Sequence, residues 1–79
     1  MIEVRLPAML GGGSLQVASA PTIGDLTRIL QQSRPDLAAR LDDTIFNFAV
    51  NDEMLLHDAP AQPLNDGDVV EIVPAISGG

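Results

Sequence analysis

Apolar residues fall at every second position as the chain begins. Ile2, Val4 and Leu6 alternate with Glu3 and Arg5, the period of a half-buried strand. Pro7 has no N–H to give a ladder, so it is expected to end that strand or to sit at an edge. Gly11-Gly12-Gly13 then signals a turn, and Leu15 and Val17 resume the alternation within residues 14–19. The first two segments read as a hairpin. After Thr22 the period changes. Ile23, Leu26, Ile29 and Leu30 recur at helical spacing, with Asp25, Arg28, Gln31 and Gln32 on the opposite face. Thr22 is placed to cap the helix and Asp25 occupies its third position, close to a capping box. Arg34-Pro35 stops it, because the residue before a proline avoids the helical region.

Residues 35–41 predict one further short turn of helix, and Asp42-Asp43 a solvated loop. Residues 45–50 are β-rich, with Phe46, Phe48 and Val50 on one face. Asn51-Asp52-Glu53 turns the chain into a short return strand at Met54-Leu55-Leu56. Two prolines and two alanines between Asp58 and Pro63 predict a loop. Asn65-Asp66-Gly67-Asp68 predicts a tight turn, and residues 69–73 a last strand that ends at Pro74. Strand, strand, helix, strand, short strand, strand is the order of an α+β fold of the β-grasp (ubiquitin-like) kind. It implies a mixed sheet packed on one main helix, with the first and last strands as central neighbours. The expected division is one β-grasp domain over residues 1–74 and a flexible tail over 75–79, ending in Gly78-Gly79.

Composition narrows the function. Seventy-nine residues make one domain with a modest core. With no cysteine and a single histidine, disulfide staples and a structural zinc site of the Cys/His kind are excluded. No apolar run is long enough to span a bilayer, and Met1-Ile2-Glu3-Val4-Arg5 carries no export pattern, so the cytoplasm is the expected location. Eleven acids oppose four arginines and no lysine, for a net charge of −7. Such a chain repels phosphate backbones, so nucleic acid is not an expected partner. A partner with a basic docking surface is, although acidity also serves solubility. A chain that carries an activated acyl group gains from having no lysine to attack it. Lysine-poor, arginine-rich composition of GC-rich genomes explains the same fact, and takes the larger share.

The usual catalytic constellations are missing, so no catalytic side chain and no metal ligand is assigned. Gly11-Gly12-Gly13 lies between two strands and opens no helix, which favours a hairpin loop over a phosphate cradle. The carboxylate pairs Asp42-Asp43, Asp52-Glu53 and Asp66/Asp68 lie at turns, where aspartate serves the backbone. His57 has no nucleophile beside it and reads as a partly exposed structural residue. The tail remains. Ser77-Gly78-Gly79 follows a strand closed by Pro74, and two residues without side chains can thread a narrow channel. They would bring the Gly79 carboxylate to another enzyme's nucleotide, where attack on the α-phosphate of ATP gives an acyl-adenylate. A sulfur donor then displaces AMP and leaves a thiocarboxylate, which requires no thiol in the carrier. Two terminal glycines alone are also what a frayed end looks like.

Leu64-Asn65-Asp66-Gly67-Asp68-Val69-Val70-Glu71-Ile72-Val73-Pro74, followed by Ala75-Ile76-Ser77-Gly78-Gly79, resembles the MoaD/ThiS family of sulfur carriers, prokaryotic relatives of ubiquitin. The pattern is an L-x-D-G-D turn, a hydrophobic strand, a proline and a terminal Gly-Gly. Phe48-Ala49-Val50-Asn51-Asp52-Glu53 resembles the family's V-N strand end. The resemblance implies a non-catalytic carrier, a co-substrate of an adenylating enzyme of the ubiquitin-activating type or the small subunit of a synthase. It further implies a persulfide or rhodanese sulfur donor and a pathway enzyme that consumes the thiocarboxylate. Gly79 would be adenylated and thiocarboxylated, with Gly78 and Ser77 threading into the partner. No cofactor is bound by the carrier, and ATP is used by the partner.

Leu6-Pro7-Ala8-Met9-Leu10 with glycines soon after departs from the aromatic-rich first strand and arginine-containing helix of molybdopterin-synthase small subunits. It looks closer to CysO-like carriers that feed cysteine synthesis, or to MoaD, than to the shorter thiamin carriers. Two other readings stay open: a ubiquitin-like modifier conjugated through Gly79, and a β-grasp interaction module with no tail chemistry. The apolar sheet face opposite the helix is a further expected contact surface.

Overall fold

The computed structural model describes residues 1–43, 46–55 and 58–74 and, of residues 41–43, the backbone alone. Five strands form one mixed sheet in the order β2-β1-β5-β3-β4. They are β1 (Ile2–Arg5), β2 (Ser14–Val17), β3 (Phe46–Val50), β4 (Glu53–Leu55) and β5 (Val69–Pro74), with helices α1 (Ile23–Ser33) and α2 (Pro35–Asp43) between the two halves. β1 pairs antiparallel with β2 and parallel with β5. β3 pairs antiparallel with both β5 and β4. The first and last strands are therefore central neighbours, as the helical crossover requires. This is the β-grasp layout.

Period-two burial explains the sheet. Ile2, Val4, Val17, Val70, Ile72 and Val50 are buried on the face toward the helices, with Leu15, Phe46, Phe48 and Leu55 packed against them. One face of α1 supplies the opposing layer through Ile23, Leu26 and Leu30, all buried. Each such side chain contributes about 1.5–3 kcal/mol of apolar burial. The Thr22 hydroxyl oxygen accepts from the Asp25 N–H at 3.2 Å, and the hydroxyl itself donates to Asp25 Oδ2 at 2.8 Å. The cap is as expected. The free N–H of Ile23 donates to Gln62 O at 3.1 Å, so the loop before β5 satisfies one orphan donor of the helix start.

Three features depart from the sequence reading. Between β1 and β2 the chain makes a 3-10 turn at Ala8–Leu10, which buries Leu10. Gly11, Gly12 and Gly13 then close the connection, each at positive φ. α2 extends to Asp43, so Asp42-Asp43 continues the helix and is no loop, and its Leu37 is buried. Arg40 Nη1 donates to Met9 O at 3.1 Å, which ties this second helix to the 3-10 turn. A second 3-10 turn, Ala59–Ala61, packs on the start of α1. There a Cβ on Gly24 would lie 3.1 Å from Pro60 O, so glycine permits the close approach. Ile45 and Leu56, expected in strands, lie outside the described residues. No described helix is long and apolar enough to cross a membrane.

Candidate functional site

The site named by the sequence is the end of β5 together with the five residues beyond it. β5 is the middle strand of five, held by β1 on one side and β3 on the other. Its last residue, Pro74, stands opposite Phe46 in the β3 register. The chain thus leaves the sheet from its centre. Ser77, Gly78 and Gly79 lie outside the described residues, as do Ala75, Ile76 and His57.

At the root of the tail, an open groove of about 490 Å³ runs between the ends of β1 and β5, lined by Arg5, Pro7, Ser14, Glu71, Val73 and Pro74. Arg5 lies on the sheet face away from the helices. Its Nε donates to Glu3 Oε2 at 2.8 Å, and Asp52 and Glu71 add to the negative field around it. That hydrogen bond, and then the charge of Glu3, raise the guanidinium further above its usual range. The rest of this face follows from the registers: Glu3 and Gln16, then Val69 and Glu71, then Asn47, Ala49 and Met54, with Val73 nearest the tail. Ala49 is buried, Val69 and Val73 are half-buried and Met54 is exposed. The face is mixed: a small apolar strip rimmed by carboxylates.

The opposite end of β5 carries the residues that the motif emphasised. Asp68 Oδ2 accepts from the Asn65 N–H at 2.8 Å, closing the turn. Its Oδ1 accepts from Asn51 Nδ2 at 3.0 Å, while Asn51 Oδ1 accepts from the Val69 N–H at 3.0 Å. The Asn51 N–H donates in turn to Val69 O at 2.8 Å. These bonds clasp the β3–β4 turn to the start of β5 and fix where the strand begins. The Asn65 N–H, and then Asn51, hold the Asp68 carboxyl below the usual carboxylate range. Gly67 N–H donates to Met1 O, and the Met1 ammonium pairs with Asp66. The two acids of this turn therefore have separate structural partners and do not form an acid/base pair.

The other acids divide similarly. Asp25 pairs with Arg28, and Asp36 with Arg34. Asp52, on the turn between β3 and β4, and Glu53, the first residue of β4, stand exposed. No described side chain that is polar or charged is buried, and no group of three or more His, Cys, Asp or Glu among the described residues could hold a metal ion. The clasp escaped the sequence reading as a unit. Its only signal was that Asn51 and Asp68 both sit in conspicuous turn motifs.

The family model described as the ThiS family matches residues 7–79. Three solved structures are similar over nearly the whole length. The complex of subunits 1 and 2 of molybdopterin-converting factor from Helicobacter pylori 26695 is 28% identical with a TM-score of 0.70, over 99% of this chain and 97% of that one. The BexX/CysO complex from Amycolatopsis orientalis is 27% identical with a TM-score of 0.78, over 100% of both. SAMP1 from Haloferax volcanii is 26% identical with a TM-score of 0.74, over 99% and 98%. A comparison with curated proteins gives no significant match.

Proposed function

The chain belongs to the ThiS family, and on that premise we propose that its working group is the carboxylate of Gly79, adenylated by a partner enzyme and converted to a thiocarboxylate. The observation that carries this reading is that the family match runs on past Pro74 to Gly79, so the similarity includes the tail. The architecture supports it. β5, which residues 75–79 follow in sequence, is the middle strand of the sheet, braced by β1 and β3. A partner that grips the open face would therefore hold the end of β5, at Pro74, against its own surface.

In this scheme the Gly79 carboxylate attacks the α-phosphate of ATP in the partner's site and pyrophosphate leaves. A persulfide sulfur displaces AMP, giving an acyl disulfide. A second thiol opens it, leaving the thiocarboxylate on Gly79 and a disulfide on the donor side. The carrier supplies the acyl group, and the partner supplies ATP binding and any acid or base. Absence of cysteine and lysine from the carrier leaves no internal thiol or lysine amine to intercept the adenylate. Gly78 and Ser77 are assigned to threading. The sulfur would pass to a biosynthetic enzyme making cysteine, molybdopterin or a related product. Two of the similar structures are complexes with a second protein, which favours a carrier that works in assemblies.

Deletion of Gly78-Gly79 tests the reading. The shortened chain should fold as the full chain does and fail to support sulfur transfer with its adenylating enzyme, ATP and a persulfide donor. Undiminished transfer by the shortened chain would overturn the proposal.

A further inference from the structure

The two edges of the sheet are β2 and β4, and they differ. β4 is three residues long and begins with the exposed Glu53, next to Asp52. Charge on a short strand protects an edge from pairing with other chains. β2 has no such protection: Ser14-Leu15-Gln16-Val17 carries no charge and no proline, and no residue from Leu6 to Gly24 is charged. In a chain of net charge −7, this is the stretch where an acidic partner meets least repulsion.

The hydrogen-bond parity shows what this edge presents. The Glu3 N–H donates toward β5, to Asp68 O at 3.1 Å, whereas the Leu6 N–H donates toward β2, to Gly13 O at 2.9 Å. Gln16 stands opposite Glu3 in the register, so its N–H and C=O point away from β1, out of the sheet. Ser14, two residues earlier, does the same. Beside this row, an apolar groove of about 360 Å³ lies between β2 and α1, lined by Leu15, Val17, Ile29 and Leu30 with Arg34 among its walls. No acid lines it. Arg34 spends Nε and Nη2 on Asp36, which leaves Nη1 without a partner among the described residues.

We propose that the β2 edge and the β2–α1 groove bind an extended segment of a partner protein as a sixth strand, with aliphatic side chains at alternate positions and an acidic residue that reaches Arg34. The outward backbone groups of Ser14 and Gln16 supply the ladder, the groove takes every second side chain, and Arg34 selects the charge. A second copy of this chain is the less suitable occupant, because each copy brings a net charge of −7. This surface lies on the strand farthest from β4, and of its two ladder residues only Ser14 also borders the groove at the end of β5.

The probe is a blocked hexapeptide with isoleucine at alternate positions, threonine between them and aspartate at both ends, titrated into the uniformly 15N-labelled full chain. The expected result is saturable shifts of the Ser14, Gln16, Ile29 and Arg34 amides, with slowed hydrogen exchange at Ser14 and Gln16. The same peptide N-methylated on its bonding edge should bind at least about tenfold more weakly, since it loses strand hydrogen bonds while the protein is untouched. A lysine-ended peptide, and the Arg34→Glu chain with the original peptide, should each bind several-fold more weakly. A chain lacking Gly78-Gly79 should bind as the full chain does, which separates this site from the tail chemistry. No shifts, shifts confined to Met54 and Val73, or equal binding of the N-methylated peptide would overturn the proposal. Sedimentation that shows the chain alone pairing through β2 would overturn it in favour of a second copy.

Discussion

Asn51 offers the sharpest test of how β5 is held, because it serves the fold twice. Its side chain makes two hydrogen bonds of the clasp, donating to Asp68 Oδ1 and accepting from the Val69 N–H, both at 3.0 Å. Its backbone sits at φ 51°, followed by Asp52 at 70°, the left-handed pair that joins β3 to β4 in a two-residue turn. Asn51→Gly removes the side-chain bonds and keeps the backbone relaxed. At about 0.5–1.5 kcal/mol per hydrogen bond, and toward the low end because the site is exposed, the expected loss is about 1–2 kcal/mol. Asn51→Ala removes the same bonds and adds the left-handed penalty of about 1–2 kcal/mol, for about 2–4 kcal/mol in all.

For a domain of this size, each kcal/mol shifts Tm by roughly 4–8 °C, so the two variants should separate clearly. Urea unfolding at neutral pH measures both. The Asp68 carboxyl is held below its ordinary value, so its share of stability is present above the unfolded value near 4 and is lost as the pH falls through the lower folded value. Because Asn51 is the second cause of that depression, the glycine variant should lose less stability than the parent between neutral pH and about pH 3. A glycine variant as stable as the parent, or an unchanged acid profile, would refute the clasp, and equal stability of the two variants would refute the left-handed backbone at Asn51.

Leu37→Ala should cost about 2–4 kcal/mol in urea unfolding, since Leu37 is 2% exposed and anchors α2; a loss below about 1 kcal/mol would mean that α2 is not docked. A thioester placed chemically on Gly79 should hydrolyse without cyclising. Glu3 stands beside Val69, five strand intervals from Pro74, and Met1 precedes Glu3 by two more residues, about 23 Å in all along the strand direction. Five tail residues span at most about 18 Å, so a cyclic product in the mass spectrum would contradict this arrangement. If the proposed adenylating enzyme grips the open face, that docking should weaken as salt is raised from about 0.05 to 0.5 M, because exposed Asp52, Glu53 and Glu71 border the face. Salt-insensitive binding would locate the contact on the apolar strip alone.

Strong periodicity made most of the scaffold legible in advance. β1 and α1 each repeat their apolar residues often enough to define a face, and the Thr22 cap and the Arg34-Pro35 stop mark the ends of the helix. What escaped were apolar residues without a period. Leu10, Ala20, Leu37 and Leu64 are all buried, yet each stands alone in a turn or a short element. Asp42-Asp43 carries no sequence signal for helix, and aspartates at a helix C-terminus oppose its dipole. The helix persists to Asp43, with Leu37 buried beneath it and Arg40 bound to Met9 O. The clasp joins residues 17 positions apart, so turn propensity shows both of its halves and not their union. Ser77, Gly78 and Gly79 stand out in the sequence as a motif and lie outside the described residues. The exposed edge at β2 was not legible, because strand order is a tertiary property.

The most direct test of the central claim is the intact mass of the chain after incubation with its adenylating enzyme, ATP and a persulfide donor. The account predicts that one oxygen is exchanged for one sulfur, with fragmentation placing the change on Gly79. A chain that keeps its mass while ATP is consumed, or one found joined through Gly79 to lysines of other proteins with no sulfur gained, would contradict it.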